Sequence, residues 1–353
     1  MRYMFFIVLT SVLMLVSEST ADYSINFTMP FERGSDFKQD DGVGPPFVPL
    51  VGRVSEILTA LNKLPPEHRQ RGKNSFFSRL IREFQKNPSR IIEAKSELMG
   101  RDPKSPFFED DITLVISAMG DQSSPLAQEA LCAIMIEASL EQEIMIFQSV
   151  ISMGSHTAPS SLALDALAAV VDRVELLPES KSAALMALGS VARNLGPVQT
   201  AGVVKRLLAM SYAGDETLVQ SLAAMANHGD SRYFERVKDV LFSNVEVSVL
   251  KEVARTIGHL NHPEAEEVLL SLLDQDPDES VAASAIEALG QGTPSYRVVK
   301  QLGVHYNRAT SVYLKESVIN VLAKAGDEES KLILRQLANF ESNEHLKALA
   351  QSY

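Results

Sequence analysis

One unit restarts along this chain at a nearly constant interval, and that interval constrains the fold more than any single motif. A Gly or Asn follows a stretch of small and aliphatic residues at Gly196, Gly229, Asn261, Gly292 and Gly326, in steps of 33, 32, 31 and 34 residues. Further back, Gly154 lies 42 residues before Gly196, and Gly120 lies 34 before Gly154. Helical patterning inside units of this length is the trace of stacked helical hairpins, each burying its apolar face against its neighbours. The expected fold is all-α, a right-handed superhelix of stacked helical hairpins. Such an array offers a long surface and usually no catalytic pocket.

The first residues read as a targeting segment. Arg2 gives a positive start, Phe5 to Val16 is apolar apart from Thr10 and Ser11, and Ser19-Thr20-Ala21 supplies small residues for cleavage. The apolar run falls short of the roughly 20 residues that span a bilayer. The expectation is a signal peptide over 1–21 and a mature chain that is secreted or periplasmic, not integral to a membrane. Residues 22–50 read as a flexible linker: polar and acidic at first, then carrying Gly42, Gly44, Pro45, Pro46 and Pro49. Asn26-Phe27-Thr28 is a glycosylation acceptor pattern, meaningful in a eukaryotic secretory pathway.

Composition narrows the chemistry. With a single cysteine, Cys132, no intramolecular disulfide or cysteine metal cluster can form. That cysteine lies in an apolar helical stretch, Ala130 to Ile136, without basic neighbours to support a thiolate, so it reads as a small buried hydrophobe. Charge divides the chain. Residues 51–104 hold 12 Lys/Arg against 6 Asp/Glu, whereas residues 105–353 hold 18 against 33, net charges of +6 and −15. An acidic array repels nucleic acid, and export argues further against it.

Helical spacing predicts Val51–Leu64, Arg69–Lys86 and Ser89–Met99 ahead of the repeats, stopped by Pro65-Pro66, Pro88 and Gly100. Phe76, Phe77, Leu80, Ile81 and Phe84 form an apolar stripe on the second of these. Residues 51–108 are therefore expected to be a basic N-terminal helical cap on a solenoid of residues 109–353. Pro125, Pro159 and Pro263 stand where helices are expected to begin, a position at which the missing N–H costs nothing.

From Leu269 to Gly290 a leucine-rich helix (Leu269, Leu270, Leu272, Leu273) leads into Asp276-Pro277-Asp278. A helix of small residues follows, with Val281, Ala282, Ala283, Ala285 and Ala288. This stretch resembles a HEAT repeat, which implies an armadillo-like helical solenoid and no particular activity. Ala282 stands where that family usually has Arg, which puts one inter-repeat hydrogen bond in question. A second likeness runs from Asp110 to Gly196, ending in the small-residue stretch Ser182 to Val191. It resembles part of the helical domain of vitellogenin-type lipid transfer proteins, which implies a lipid-related role. Those proteins also have a preceding β-barrel, and nothing in residues 22–108 reads as one.

Three sets of residues invite a site reading. Asp274, Asp276 and Asp278 alternate as in a calcium loop, but Glu279 and Ala285 occupy the places where Gly and an acidic residue are needed. Asp278 serves equally as a helix cap. His228, His259 and His262 fall near two successive turns, with Asp230 close to the first, yet no ligand spacing is enforced, and exposed turn residues are the simpler reading. His156 stands alone in another turn. No nucleophile elbow, phosphate loop, dinucleotide fingerprint or helical zinc motif is present.

The function expected is that of an exported, non-catalytic scaffold, needing no cofactor or metal, that binds a protein or peptide on a concave face built from second helices. Glu252, Arg255, Glu287, Lys315 and Lys324 are the expected lining. The alternative is a lipid-binding or lipoprotein-assembly module, with Met135, Met145, Met153, Met186, Met210 and Met225 lining an apolar groove. Methionines at helical spacing more often fill a core.

Overall fold

A computed structural model describes residues 53–353 apart from positions 65, 213, 244, 276 and 277. The expected signal peptide, the linker, the Asn26 acceptor and Asp276 lie outside the described residues. Among those described, every regular element is helical, and the fold is an all-α solenoid.

Two compact units divide the chain after Gln199. In the first, hairpins pair α1 (Val54–Asn62) with α2 (Pro66–Lys86) and α3 (Ser89–Met99) with α4 (Phe108–Gln122). Next come α5 (Pro125–Glu137) with α6 (Glu143–Gly154), and α7 (Ser161–Asp172) with α8 (Pro178–Arg193). In the second unit, α9 (Ala201–Met210) pairs with α10 (Asp215–His228), and α11 (Phe234–Leu241) with α12 (Val247–His259). They are followed by α13 (Ala265–Gln275) with α14 (Glu279–Leu289), α15 (Tyr296–Arg308) with α16 (Val312–Ala325), and α17 (Glu328–Phe340) with α18 (Glu344–Gln351). Within each unit the even-numbered helices stack on one another in chain order.

Local chemistry sets the ends of these helices. Ser124, Ser295, Ser311, Asp327 and Asn343 each accept a backbone N–H in the first turn of α5, α15, α16, α17 and α18. Caps of this kind stabilise by about 1 kcal/mol each. Three of the periodic turn residues take left-handed backbone: Gly229 (φ 73°), Gly326 (φ 64°) and Asn261 (φ 24°). Gly120 does not turn the chain as its spacing suggests. It is buried inside α4, and Ser123 makes the left-handed turn instead (φ 47°). Of the prolines expected to open helices, Pro125 does so, whereas Pro159 and Pro263 precede their helices by two residues. Pro178 and Pro66 also stand at helix starts, because a residue that stops one helix is preset for the first turn of the next.

The N-terminal helices lie directly on the first repeats, α2 on α4 and α3 on α5. Phe76, Leu80 and Phe84 are buried, while Phe77 and Ile81 are half-buried. Lys73 pairs with Asp110 at 2.7 Å, Lys95 with Glu137 at 3.0 Å, and Arg101 with the fully buried Asp111. Each buried large side chain contributes roughly 1.5–3 kcal/mol, and each exposed pair about 0–1 kcal/mol. Burial therefore holds these helices in place, and the ion pairs set their register.

Candidate interaction surface

In the second unit α10, α12, α14 and α16 form one row, and small residues let them approach closely. Ala254, Ala283, Ala285 and Ala288 are buried, and a Cβ placed on Gly258 of α12 would come within 2.9 Å of the Ala288 backbone on α14. At this range, side chains of one helix reach backbone and side-chain groups of the next, and a set of polar clasps results.

The Thr256 hydroxyl donates to the Leu222 carbonyl on α10 at 3.1 Å. The Glu287 carboxylate of α14 accepts from Tyr313 at 2.8 Å and from Ser317 at 2.9 Å, both on α16. Lys324, near the end of α16, donates back to the Gly290 and Gln291 carbonyls that close α14. Glu279, at the start of α14, accepts the Thr310 N–H and hydroxyl and the Ser311 N–H, and these donors hold its carboxyl below the usual range. At the C-terminal end Glu341 takes a 2.6 Å hydrogen bond from Tyr306 and lies 3.4 Å from Lys315. The Tyr306 bond, with help from the Asn343 N–H and Lys315, brings its carboxyl down to about 2.

The expected lining residues therefore sort into different environments. Lys324 is exposed, and Arg255, Glu287 and Lys315 are half-buried; all four belong to this row. Glu252 departs from the expectation of an exposed residue, being only 4% exposed. It lies one helical turn before Thr256, so it shares the α12 face that meets α10. Burial pushes its carboxyl up to about 7 against the attraction of Arg255, 3.4 Å away. The sequence reading missed Tyr306, Tyr313, Ser317 and Glu341. Their signal is a separation of 26 to 35 positions from their partners, close to one repeat. It also missed two aromatics at successive hairpin tips, Tyr212 and Phe242, which are 70% and 72% exposed.

The other sets come apart. Asp278 caps α14, accepting the Ser280 N–H at 2.8 Å and the Val281 N–H at 3.3 Å, while Asp274 faces His305 at 3.4 Å. His228 is buried rather than exposed and shares a 2.8 Å hydrogen bond with the Tyr233 hydroxyl; His259 Nδ1 turns back to the Arg255 carbonyl at 2.9 Å. His156 is also buried, beside Gln128, and burial lowers its pKa. His228 Nε2 lies 3.8 Å from Asp230, and among the described residues His262 falls in a group of three possible metal ligands with Glu235 and Glu264. Cys132 is buried, which pushes its thiol up to about 12. Of the six methionines considered for a groove, Met135, Met145, Met153 and Met225 are core residues, and Met186 and Met210 are half-buried.

Residues 234–303, from α11 into α15, match the family model of HEAT repeats. This stretch carries HEAT repeats. The matched stretch holds the Gly258–Ala288 approach, Glu279 and Glu287, while the partners of the two carboxylates, Thr310, Ser311, Tyr313 and Ser317, lie beyond it. Comparison with curated proteins gives no match. Among the described residues, no helix is long and apolar enough to cross a membrane.

Proposed function

We propose that this chain is an exported, non-catalytic scaffold that binds a protein or peptide across the second helices of its HEAT repeats. The observation that carries this reading is the row α10, α12, α14 and α16, fastened repeat to repeat by Thr256, Glu279, Glu287 and Lys324. A surface fixed in this way before binding loses little conformational entropy when a partner arrives. Solenoids of HEAT repeats generally serve protein interaction, which supports the same class of partner. Asn320 and Lys324 are exposed on α16, and Tyr212 and Phe242 offer aromatic anchors at the hairpin tips. Across repeats, Glu279 and Glu287 accept from hydroxyl and backbone donors and Lys324 donates to backbone carbonyls, an arrangement suited to rigidity rather than proton transfer. Residues 1–21 support delivery to a secreted or periplasmic location.

The test is affinity capture of the mature chain from its native compartment, read by mass spectrometry beside an Asn320→Arg variant. The expected result is a protein that co-purifies with the natural chain and is lost or depleted with the variant. A chain that comes out clean, or carries lipid alone in native mass spectrometry, overturns the proposal.

A further inference from the structure

The turn between α12 and α13 reads Asn261-His262-Pro263-Glu264, and its geometry brings three metal-binding side chains together. Phe234, at the start of α11, is 1% exposed and so has a fixed ring. The His262 imidazole stacks on that ring with centroids 3.7 Å apart and planes within 13° of parallel. The next residue, Glu235, is exposed, and Glu264 lies two residues beyond His262. One ligand atom from each of Glu235, His262 and Glu264 falls within 4.8 Å of the others.

We propose that these three residues form a zinc site joining the start of α11 to the turn that leads into α13. The donor set is one imidazole nitrogen and two carboxylate oxygens. It suits Zn²⁺, which binds such ligands at about 2.0–2.2 Å and takes water in the remaining place. Calcium and magnesium favour all-oxygen shells and gain little from the imidazole. Two ligands on one zinc stand roughly 3–3.5 Å apart by the same bond lengths, so the carboxylates close by about an ångström, a movement exposed Glu side chains make readily. Stacking on Phe234 supplies the ring orientation in advance, a role that outer contacts commonly play at metal sites. Two contacts compete: Lys238 pairs with Glu264 at 2.9 Å, and the Glu264 N–H makes a long 3.3 Å contact with His262 Nδ1. Both yield to a divalent ion, whose charge on the paired carboxylates exceeds that of one ammonium. The site is independent of the protein-binding reading.

Titration calorimetry with zinc chloride on the chelator-stripped full mature chain tests it. One zinc per chain is expected, with affinity falling about tenfold or more in Glu235→Gln and in His262→Ala. Glu235 is exposed, so its variant keeps the fold even where His262→Ala loses core contacts. Lys238→Met removes the competing ammonium and is expected to tighten binding. Millimolar calcium is expected to leave the zinc isotherm unchanged. The proposal is overturned by absence of binding at about 100 μM zinc, by binding that survives both ligand substitutions, or by displacement with calcium.

Discussion

Thr310 donates its backbone N–H at 2.8 Å and its hydroxyl at 2.7 Å to the carboxylate of Glu279, 31 positions earlier. One acidic residue near the start of a second helix thus caps the start of the next second helix. The first unit uses the same device: Glu143 accepts the Leu177 N–H at 2.9 Å and the Ser180 hydroxyl at 2.7 Å. Repeat packing in both units therefore includes a directional polar link as well as apolar burial.

Replacing Glu279 with Ala removes the protein acceptor of the Thr310 and Ser311 donors, and the expected cost is roughly 0.5–2 kcal/mol, the usual range for a lost cap. Urea denaturation followed by circular dichroism measures it. The donors depress the carboxyl, so the stabilisation is present above the ordinary Glu range and is lost as pH falls through the lowered folded value. An unchanged midpoint at pH 7 means the link is dispensable.

Glu252 works in the opposite sense. Its carboxyl rises from 4.5 to about 7 on folding because burial disfavours the charged form. The folded chain consequently holds a proton that the unfolded chain releases, and stability falls as pH climbs from about 5 to 8. The loss is on the order of 1–3 kcal/mol. Melting temperatures at pH 5 and 8 should show that decline in the natural chain and a smaller one in Glu252→Gln. Equal declines in both remove Glu252 as its source.

Gly258 and Gly290 differ in what surrounds them. A Cβ at Gly258 meets the Ala288 backbone at 2.9 Å, whereas at Gly290 its nearest contact is the Val321 Cγ2 at 2.7 Å, a side-chain methyl that is stiff but yields more readily than backbone. Alanine in a helix normally gains up to about 1 kcal/mol over glycine. Here Gly258→Ala is expected to destabilise by about 1–3 kcal/mol through overpacking, and by more than Gly290→Ala. The reverse order in thermal melts contradicts the close approach of α12 and α14.

Cys132 is buried, and its thiol sits at about 12, raised first by burial and then by Glu129 and Asp165. A thiol reagent at pH 8 should leave it unmodified in the native chain over hours and label it fully in 6 M urea, because the nucleophile is the thiolate. Rapid native labelling would place the cysteine outside the core.

The hairpin architecture was legible because it repeats: a period near 33 with apolar helical spacing admits few other folds, and the leucine-rich first helix from Leu269 points to the same repeat as the family match. Caps such as Asp278 were legible too, since capping is local. The surface was less so. Glu252 and Lys324 look alike as charged residues on second helices, yet one is buried toward α10 and the other stays exposed while it reaches the carbonyls that close α14, a difference fixed by helix rotation that composition does not record. Glu287 and Ser317 meet only because two helices stack, and the Glu235–His262–Glu264 cluster depends on how the turn at Asn261 folds back over Phe234.

The most direct test of the binding face is site-specific photo-crosslinking in the native compartment. A photoreactive residue replaces Asn320 or Lys324 on α16, or the exposed Leu332 on α17 in the other row of helices. Protein adducts from positions 320 and 324, and none or few from 332, are the predicted result. Adducts confined to position 332, or lipid adducts alone, would contradict a protein-binding face on the second helices.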